Sequence, residues 1–380
     1  MTMWQLSSAV NILMLRKTFV EIDRSAIRWN LQQYRSLLPP DGQLMAVVKA
    51  DAYGHGAVEV AKIAETEGVA WLGVAMIEEG LQLRDAGISL PILILGAWPE
   101  EGIPYFYQQQ LTPMVYNLES AQALEQYGKH HQMNFPVHLC VDTGMSRLGL
   151  NREQLNQFLS LSWPHLLVEG VQSHLASADK EDPNPTLMQL HRFWAITEGI
   201  DAQFLPRWVH VANSAGTSSF SEDRGNLFRV GIGIYGQQPS GEIRQLPLRQ
   251  AMKFQTQIVQ LQWFEAGTPL SYGGTFVTQR RTQIACLAVG YADGYSRQLS
   301  NRGRVLIRGY YAPVCGLVCM DMILVDVTDI PDVSLEDPVV LIGKQEDKEI
   351  LASELAEMIG TINYEVCCHI SNRVPRCYKD

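Results

Sequence analysis

Between residues 44 and 235 short apolar runs recur, each followed by a polar or helically spaced stretch. Eight can be counted, at 45–48, 71–75, 92–95, 112–116, 137–141, 167–171, 208–211 and 228–234. Runs this short and this evenly apolar suit parallel strands covered on both faces. Segments between them, such as 57–67 and 77–86, repeat apolar residues at helical spacing. Eight strand and helix units in succession predict a (β/α)8 TIM barrel of the α/β class.

Past residue 250 the texture changes. Runs at 254–261, 282–289, 304–307 and 323–327 are β-rich and separated by Gly, Pro and Asp, which predicts a mainly β C-terminal domain. Pro239, Gly241 and Pro247 cluster where the two textures meet. The expected plan is an extension over 1–17, a barrel over 18–245 and a β domain over 246–380. In the extension the apolar stretch 12–15 precedes Arg16 and Lys17, the reverse of a secretory signal, so a disordered or loosely docked segment is expected.

Composition narrows the function. No apolar run approaches the roughly 20 residues that span a bilayer. With 40 acidic against 30 basic residues, a net charge of −10 and no basic cluster, nucleic acid and anionic membranes are poor partners. Seven scattered cysteines argue against a disulfide framework and for a reducing cytoplasm. Cys315 and Cys319 lack a second pair at ligand spacing, so no metal site is expected. A small-molecule enzyme remains.

In such a barrel the active site lies at the C-terminal ends of the strands. After the first run comes Lys49, in an apolar setting that would favour the neutral amine able to form a Schiff base. On position alone, a lysine leaving the core for solvent is the more ordinary role. The fifth run leads to Arg147, the sixth to His174 and the seventh to Ser214, while the eighth contains Arg229, Gly231, Ile232 and Gly233. Ser214 with the amides of Gly231 and Gly233 could cradle a phosphate, a group that barrels of this kind hold near their last two strands. Each feature alone is weak; their convergence on one barrel face is not.

Several separated segments together resemble the alanine racemases, from about Phe19 to Tyr378. They are Ala46-Val47-Val48-Lys49-Ala50, Tyr53-Gly54-His55-Gly56, Asp142-Thr143-Gly144-Met145, Gly290-Tyr291-Ala292-Asp293-Gly294, Cys319-Met320-Asp321 and Arg373-Val374-Pro375-Arg376. The resemblance implies an isomerase interconverting L- and D-alanine on pyridoxal 5'-phosphate, with D-alanine supplied to peptidoglycan. It implies that Lys49 bonds the cofactor and that Tyr53, Ser214, Gly231, Ile232 and Tyr364 hold its phosphate. Arg229 would face the pyridine nitrogen, Arg147 the phenolic oxygen and substrate carboxylate, and His174 would join the ring and tyrosine networks. Tyr291 and the Met320 backbone would come from the second subunit of a homodimer.

Racemisation needs two bases flanking the α-carbon, and Lys49 and Tyr291 fit those places. His174 and Arg229 are the expected sources of the positive field that a tyrosine base requires. The family commonly has a carbamylated lysine, whose charge orients the equivalent of Arg147, where this sequence has Cys140. A bound chloride or a nearby acidic group is expected instead, a Cys140 thiolate being a third option; a packed, uncharged cysteine is the ordinary role of such a position. Three alternatives stay open: a racemase with a range extending to serine, a decarboxylase of the same architecture, and a non-catalytic cofactor carrier, though carriers lack a second domain.

Overall fold

The computed structural model describes residues 16–220 and 223–380, so most of the expected extension lies outside the described residues. The chain divides into two compact units. One comprises Ile22–Met252 with Tyr378–Asp380, the other residues up to Glu21 with Lys253–Cys377.

The first strand, β1 (Phe19–Asp23), joins the sheet of the second unit. The barrel strands follow as β2 (Gln43–Val47), β3 (Trp71–Val74), β4 (Ile92–Ile94), β5 (Leu111–Val115), β6 (Phe135–Cys140), β7 (Leu166–Gln172), β8 (Trp208–His210) and β9 (Leu227–Val230). They form one eight-stranded parallel sheet in the order β8-β7-β6-β5-β4-β3-β2-β9. At its ends β9 returns beside β8, where Asn226 N donates to Val209 O at 3.0 Å and Arg229 N to Ala212 O at 3.2 Å. The sheet thus closes into the expected barrel.

All eight apolar runs fall on these strands, because strands covered on both faces carry few polar residues. The last run was expected to continue to 234, but its strand ends at Val230 and Ile232–Tyr235 is a 3-10 turn. The reason is steric. A Cβ on Gly231 would lie 2.6 Å from the Tyr53 hydroxyl, and one on Gly233 would lie 2.2 Å from that of Tyr34, so the two glycines let the chain turn against both rings. Helix Ala57–Thr66 buries Val60, Ala61, Ile63 and Ala64 against the barrel, as its spacing predicts.

In the second unit β10 (Met252–Phe264) is the long central strand. A register shift between Ile258 and Gln260 lets it change partner, from Pro338–Gln345 on its first half to Thr282–Leu287 on its second. β1 lies between β10 and the terminal strand Arg376–Lys379. Among the described residues no helix is long and apolar enough to cross a membrane. All seven cysteines are free, and no group of three or more candidate metal ligands occurs among the described residues.

Candidate active site

Lys49 follows the end of β2, and the next four residues, Ala50–Tyr53, all have φ between 52° and 54°. This is one turn of left-handed helix built without a glycine, in a region that costs L-residues roughly 1–2 kcal/mol each. Its surroundings over-determine it. Ala50 N donates to Glu79 Oε1 at 2.6 Å and Ala57 N to Asp51 Oδ1 at 2.8 Å. Ala52 N donates to Val48 O at 2.9 Å. Tyr235 packs against Tyr53 and stacks on His55, and its hydroxyl donates to Val47 O at 2.8 Å. Lys49 therefore leaves the barrel from a rigid mount.

Tyr53 is directed at the end of β9. Its hydroxyl lies 2.6 Å from where a Cβ of residue 231 would be, and Ser214 Oγ accepts from Gly231 N at 3.0 Å and from Gly233 N at 3.5 Å. A hydroxyl, a phenol and the Gly231 and Gly233 amides, gathered on that hydroxyl where residue 231 has no side chain, make a concavity of donor groups. Such a set fits the acceptor oxygens of a phosphate.

Arg229 is enclosed by the barrel. Its Nη1 donates to His210 Nδ1 at 2.8 Å and His210 O at 2.9 Å; its Nη2 donates to Ser173 O at 2.7 Å, Val211 O at 3.0 Å and His174 Nδ1 at 3.2 Å. The Nε takes part in none of these bonds. Burial pulls the guanidinium down to about 10, which leaves it charged near neutrality. Burial, then Arg229, Arg147 and Lys49, pushes His174 down to about 3. A neutral His174 supplies no positive field, which leaves Arg229 as the charged member of the pair.

Cys140 ends β6 with its thiol 3.8 Å from Leu148 O and packed under Gly149. Burial pushes the thiol up to about 12, which removes the thiolate option and leaves a packed, uncharged cysteine. Arg147 is exposed and makes no salt bridge among the described residues. Asp142, the acid nearest in sequence, spends its Oδ1 on Gly144 N and Ser146 N. An acidic substitute for the missing carbamate is thus not paired with Arg147.

The remaining candidates belong to the second unit. Tyr291 opens a 3-10 turn, is 41% exposed, and its N–H donates to Cys319 O at 3.0 Å. Ala292 N donates to Met320 O at 3.1 Å, and a Cβ on Gly290 would lie 2.3 Å from that oxygen, so the Tyr291 and Met320 segments are held together. Asp293 is fully buried: it accepts from Gly290 N at 2.9 Å, chelates Arg16 and meets Arg373 Nε at 3.0 Å. Tyr364 lies on the short helix Asn363–Cys368. Sequence reasoning missed Glu79, Tyr235, His210 and the Arg16–Asp293–Arg373 cluster. Of these, Asp293 and Arg373 carried a signal, as members of the Gly-Tyr-Ala-Asp-Gly and Arg-Val-Pro-Arg segments.

Comparison with known proteins agrees with this architecture. Residues 22–239 match the model of the alanine racemase N-terminal domain and residues 251–378 that of the alanine racemase C-terminal domain. The alanine racemase of Halothermothrix orenii is 41% identical over 375 residues, 98% of this chain and 99% of that protein. The crystal structure of alanine racemase from Bacillus anthracis with bound L-Ala-P superposes with a TM-score of 0.90 at 37% identity, covering 96% of this chain and 95% of the other. That of the Bartonella henselae alanine racemase with covalently bound pyridoxal phosphate gives 0.87 at 30% identity, covering 96% and 99%. The chain belongs to the alanine racemase family. The decarboxylase, carrier and broader-range alternatives are not favoured by these matches.

Proposed function

We propose that this chain interconverts L- and D-alanine on pyridoxal phosphate bound at Lys49, with Lys49 and Tyr291 as the two bases. The observation that carries the cofactor reading is the donor concavity of Tyr53, Ser214, Gly231 and Gly233 beside a rigidly mounted lysine. Ser214, Tyr53, Tyr364 and the Gly231 and Ile232 amides would hold the phosphate, and the Arg229 Nε would face the ring nitrogen. When bound, the cofactor withdraws electron density from the α-carbon and so acidifies its proton.

Lys49 Nζ takes or returns that proton on one face and Tyr291 Oη on the other, so the stereochemistry inverts without either group crossing the site. Arg229 lowers the cost of the Tyr291 phenolate by its charge. It also keeps its own protons and leaves the ring nitrogen it faces without one, which restrains electron withdrawal and disfavours proton return away from the α-carbon. Arg147 would orient the substrate carboxylate, with chloride as its counter-ion in place of the carbamate. A homodimer in which each Tyr291 and Met320 serve the partner's Lys49 completes the reading. Cysteines that form no disulfide suit a cytoplasmic enzyme, and the product suits peptidoglycan synthesis.

The test is incubation with L-alanine in deuterium oxide. D-Alanine bearing α-deuterium is expected, with loss of activity in Lys49→Ala. Tyr291→Phe should abolish racemisation yet retain α-proton exchange on one antipode alone. Full racemisation by Tyr291→Phe would remove the tyrosine from the mechanism, and activity indifferent to chloride would remove the anion.

A further inference from the structure

The hydrogen bonds of Arg229 do not stop at His210. His210 Nε2 lies 2.8 Å from His138 Nδ1, and His138 Nε2 lies 3.8 Å from Glu169 Oε1. Arg229, His210, His138 and Glu169 thus form a file through the barrel lumen. Glu169 lines a cavity of about 730 Å³ with Gln43, Thr112, Trp208 and Asn226, residues near the N-terminal ends of their strands and so on the face away from Lys49.

Three features build this file. The register of β6 and β7 shifts between the pairs Val137–Val168 and His138–Gly170, so Glu169 is an extra, bulged residue. A bulge re-aims the side chain it carries. Next to it, a Cβ on Gly170 would lie 2.5 Å from His138 Nδ1, so glycine there clears the space that the imidazole fills. Trp71 closes the other side of the His138 ring at a centroid distance of 4.9 Å. Both histidines have no exposed surface.

Arginine can only donate, which sets the direction of every proton along the file. His210 must accept at Nδ1 and therefore carries its proton on Nε2; His138 must accept at Nδ1 and carries its proton on Nε2. That last N–H is buried without a hydrogen-bond partner and faces the Glu169 carboxylate across a gap longer than a hydrogen bond. Burial pushes His138 down to about 3 and His210 well below its ordinary value, so both are neutral and the contact with Glu169 is between a dipole and a carboxylate. Arg207 is the cation facing Glu169; Cys140 and Asp223 are the acidic groups facing Arg229. With no acceptor at position 169 the two imidazoles could reverse together. His210 would then present an N–H to the Arg229 N–H, two donors opposed.

We propose that Glu169 is a positioning residue for the reaction: at the far end of the file it backs the His138 and His210 tautomers that Arg229 demands, and so helps to hold the Arg229 guanidinium in one orientation. The idea rests on Arg229 facing the cofactor, but its first readout does not. In holoenzyme labelled with 15N-histidine, long-range 1H–15N spectra should show His138 and His210 neutral with the proton on Nε2 between pH 6 and 9. Glu169→Gln retains an oxygen acceptor and should keep both tautomers, with kcat within about three-fold. Glu169→Leu should bring a population with the proton on Nδ1 and lower kcat about ten-fold at little cost in KM. A His138 proton on Nδ1 in the unaltered protein would overturn the proposal even if the leucine variant fails to fold. Tautomers unmoved by Glu169→Leu would overturn it too, as would tautomers that move with no change in kcat. Absence of racemisation in the unaltered enzyme would instead sink the proposed function and leave the tautomer result standing.

Discussion

Arg229 is charged and 4% exposed, yet no carboxylate touches it among the described residues. Three carbonyls and two imidazoles take its terminal nitrogens, an arrangement that satisfies donors without neutralising charge. With no carboxylate bonded to it, the residue would keep its charge beside the ring nitrogen that it is proposed to face. Replacing it by an acid that shares a proton with that nitrogen should strengthen electron withdrawal. In Arg229→Glu the ratio of pyruvate released to D-alanine formed should rise about ten-fold or more; a ratio equal to that of the unaltered enzyme would end this account of reaction choice. At this scale the sequence was legible where a residue stood at a strand end, as with Lys49, Ser214 and Arg229. It was silent on His138 and His210, because an isolated histidine inside a strand looks the same whether it packs or relays.

The left-handed turn after Lys49 is an element whose sequence, Ala50-Asp51-Ala52-Tyr53, contains nothing that favours it. No local pattern could have announced it, since the conformation is held from outside the turn by Glu79, Tyr235 and the Ala57 N–H that Asp51 accepts. Ala50 is exposed and bonds Glu79 through its backbone N–H, so glycine can replace it without losing that bond. Relief of roughly 1–2 kcal/mol of left-handed strain against about 0.5–1 kcal/mol of added chain entropy predicts a small net gain. Ala50→Gly should therefore raise the urea midpoint, and a lowered midpoint would show that the turn is not strained at this residue. The barrel strands were readable for the opposite reason: each is mostly apolar, with polar residues at only a position or two. β1, with the sequence Phe19-Val20-Glu21-Ile22-Asp23, was missed because it alternates and finds its partners in β10 and the terminal strand, more than 200 residues away.

For the whole molecule, the buried histidines set the acid limit. His138 and His174 sit at about 3 and His210 lies well below its ordinary value, against an unfolded value of 6.5. Below 6.5 the unfolded chain binds protons that the folded chain refuses, so stability is full above that pH and falls as the pH drops toward the folded values. Each such histidine contributes a loss of roughly 1.4 kcal/mol per pH unit below about 6. Urea unfolding at pH 7 and pH 5 should show a marked drop in midpoint, and equal midpoints would contradict the burial of these rings. The proposed sharing of sites has its own test. Lys49→Ala and Tyr291→Phe are each expected to be inactive alone, but refolded together they should regain about a quarter of full activity, since half the dimers would carry one intact site. No recovery would place each tyrosine with its own chain's lysine.

One further consequence lies in the order in which the chain is made. β1 leaves the ribosome before the barrel, yet its sheet neighbours begin at residue 252 and end with the last strand. The segment Ile22–Met252 can close while β1 still waits with both edges bare. β10 can take one edge of β1 as soon as residues 252–264 are made, but the other edge waits for Arg376–Lys379, so loss of those residues leaves β1 paired on one side and open on the other.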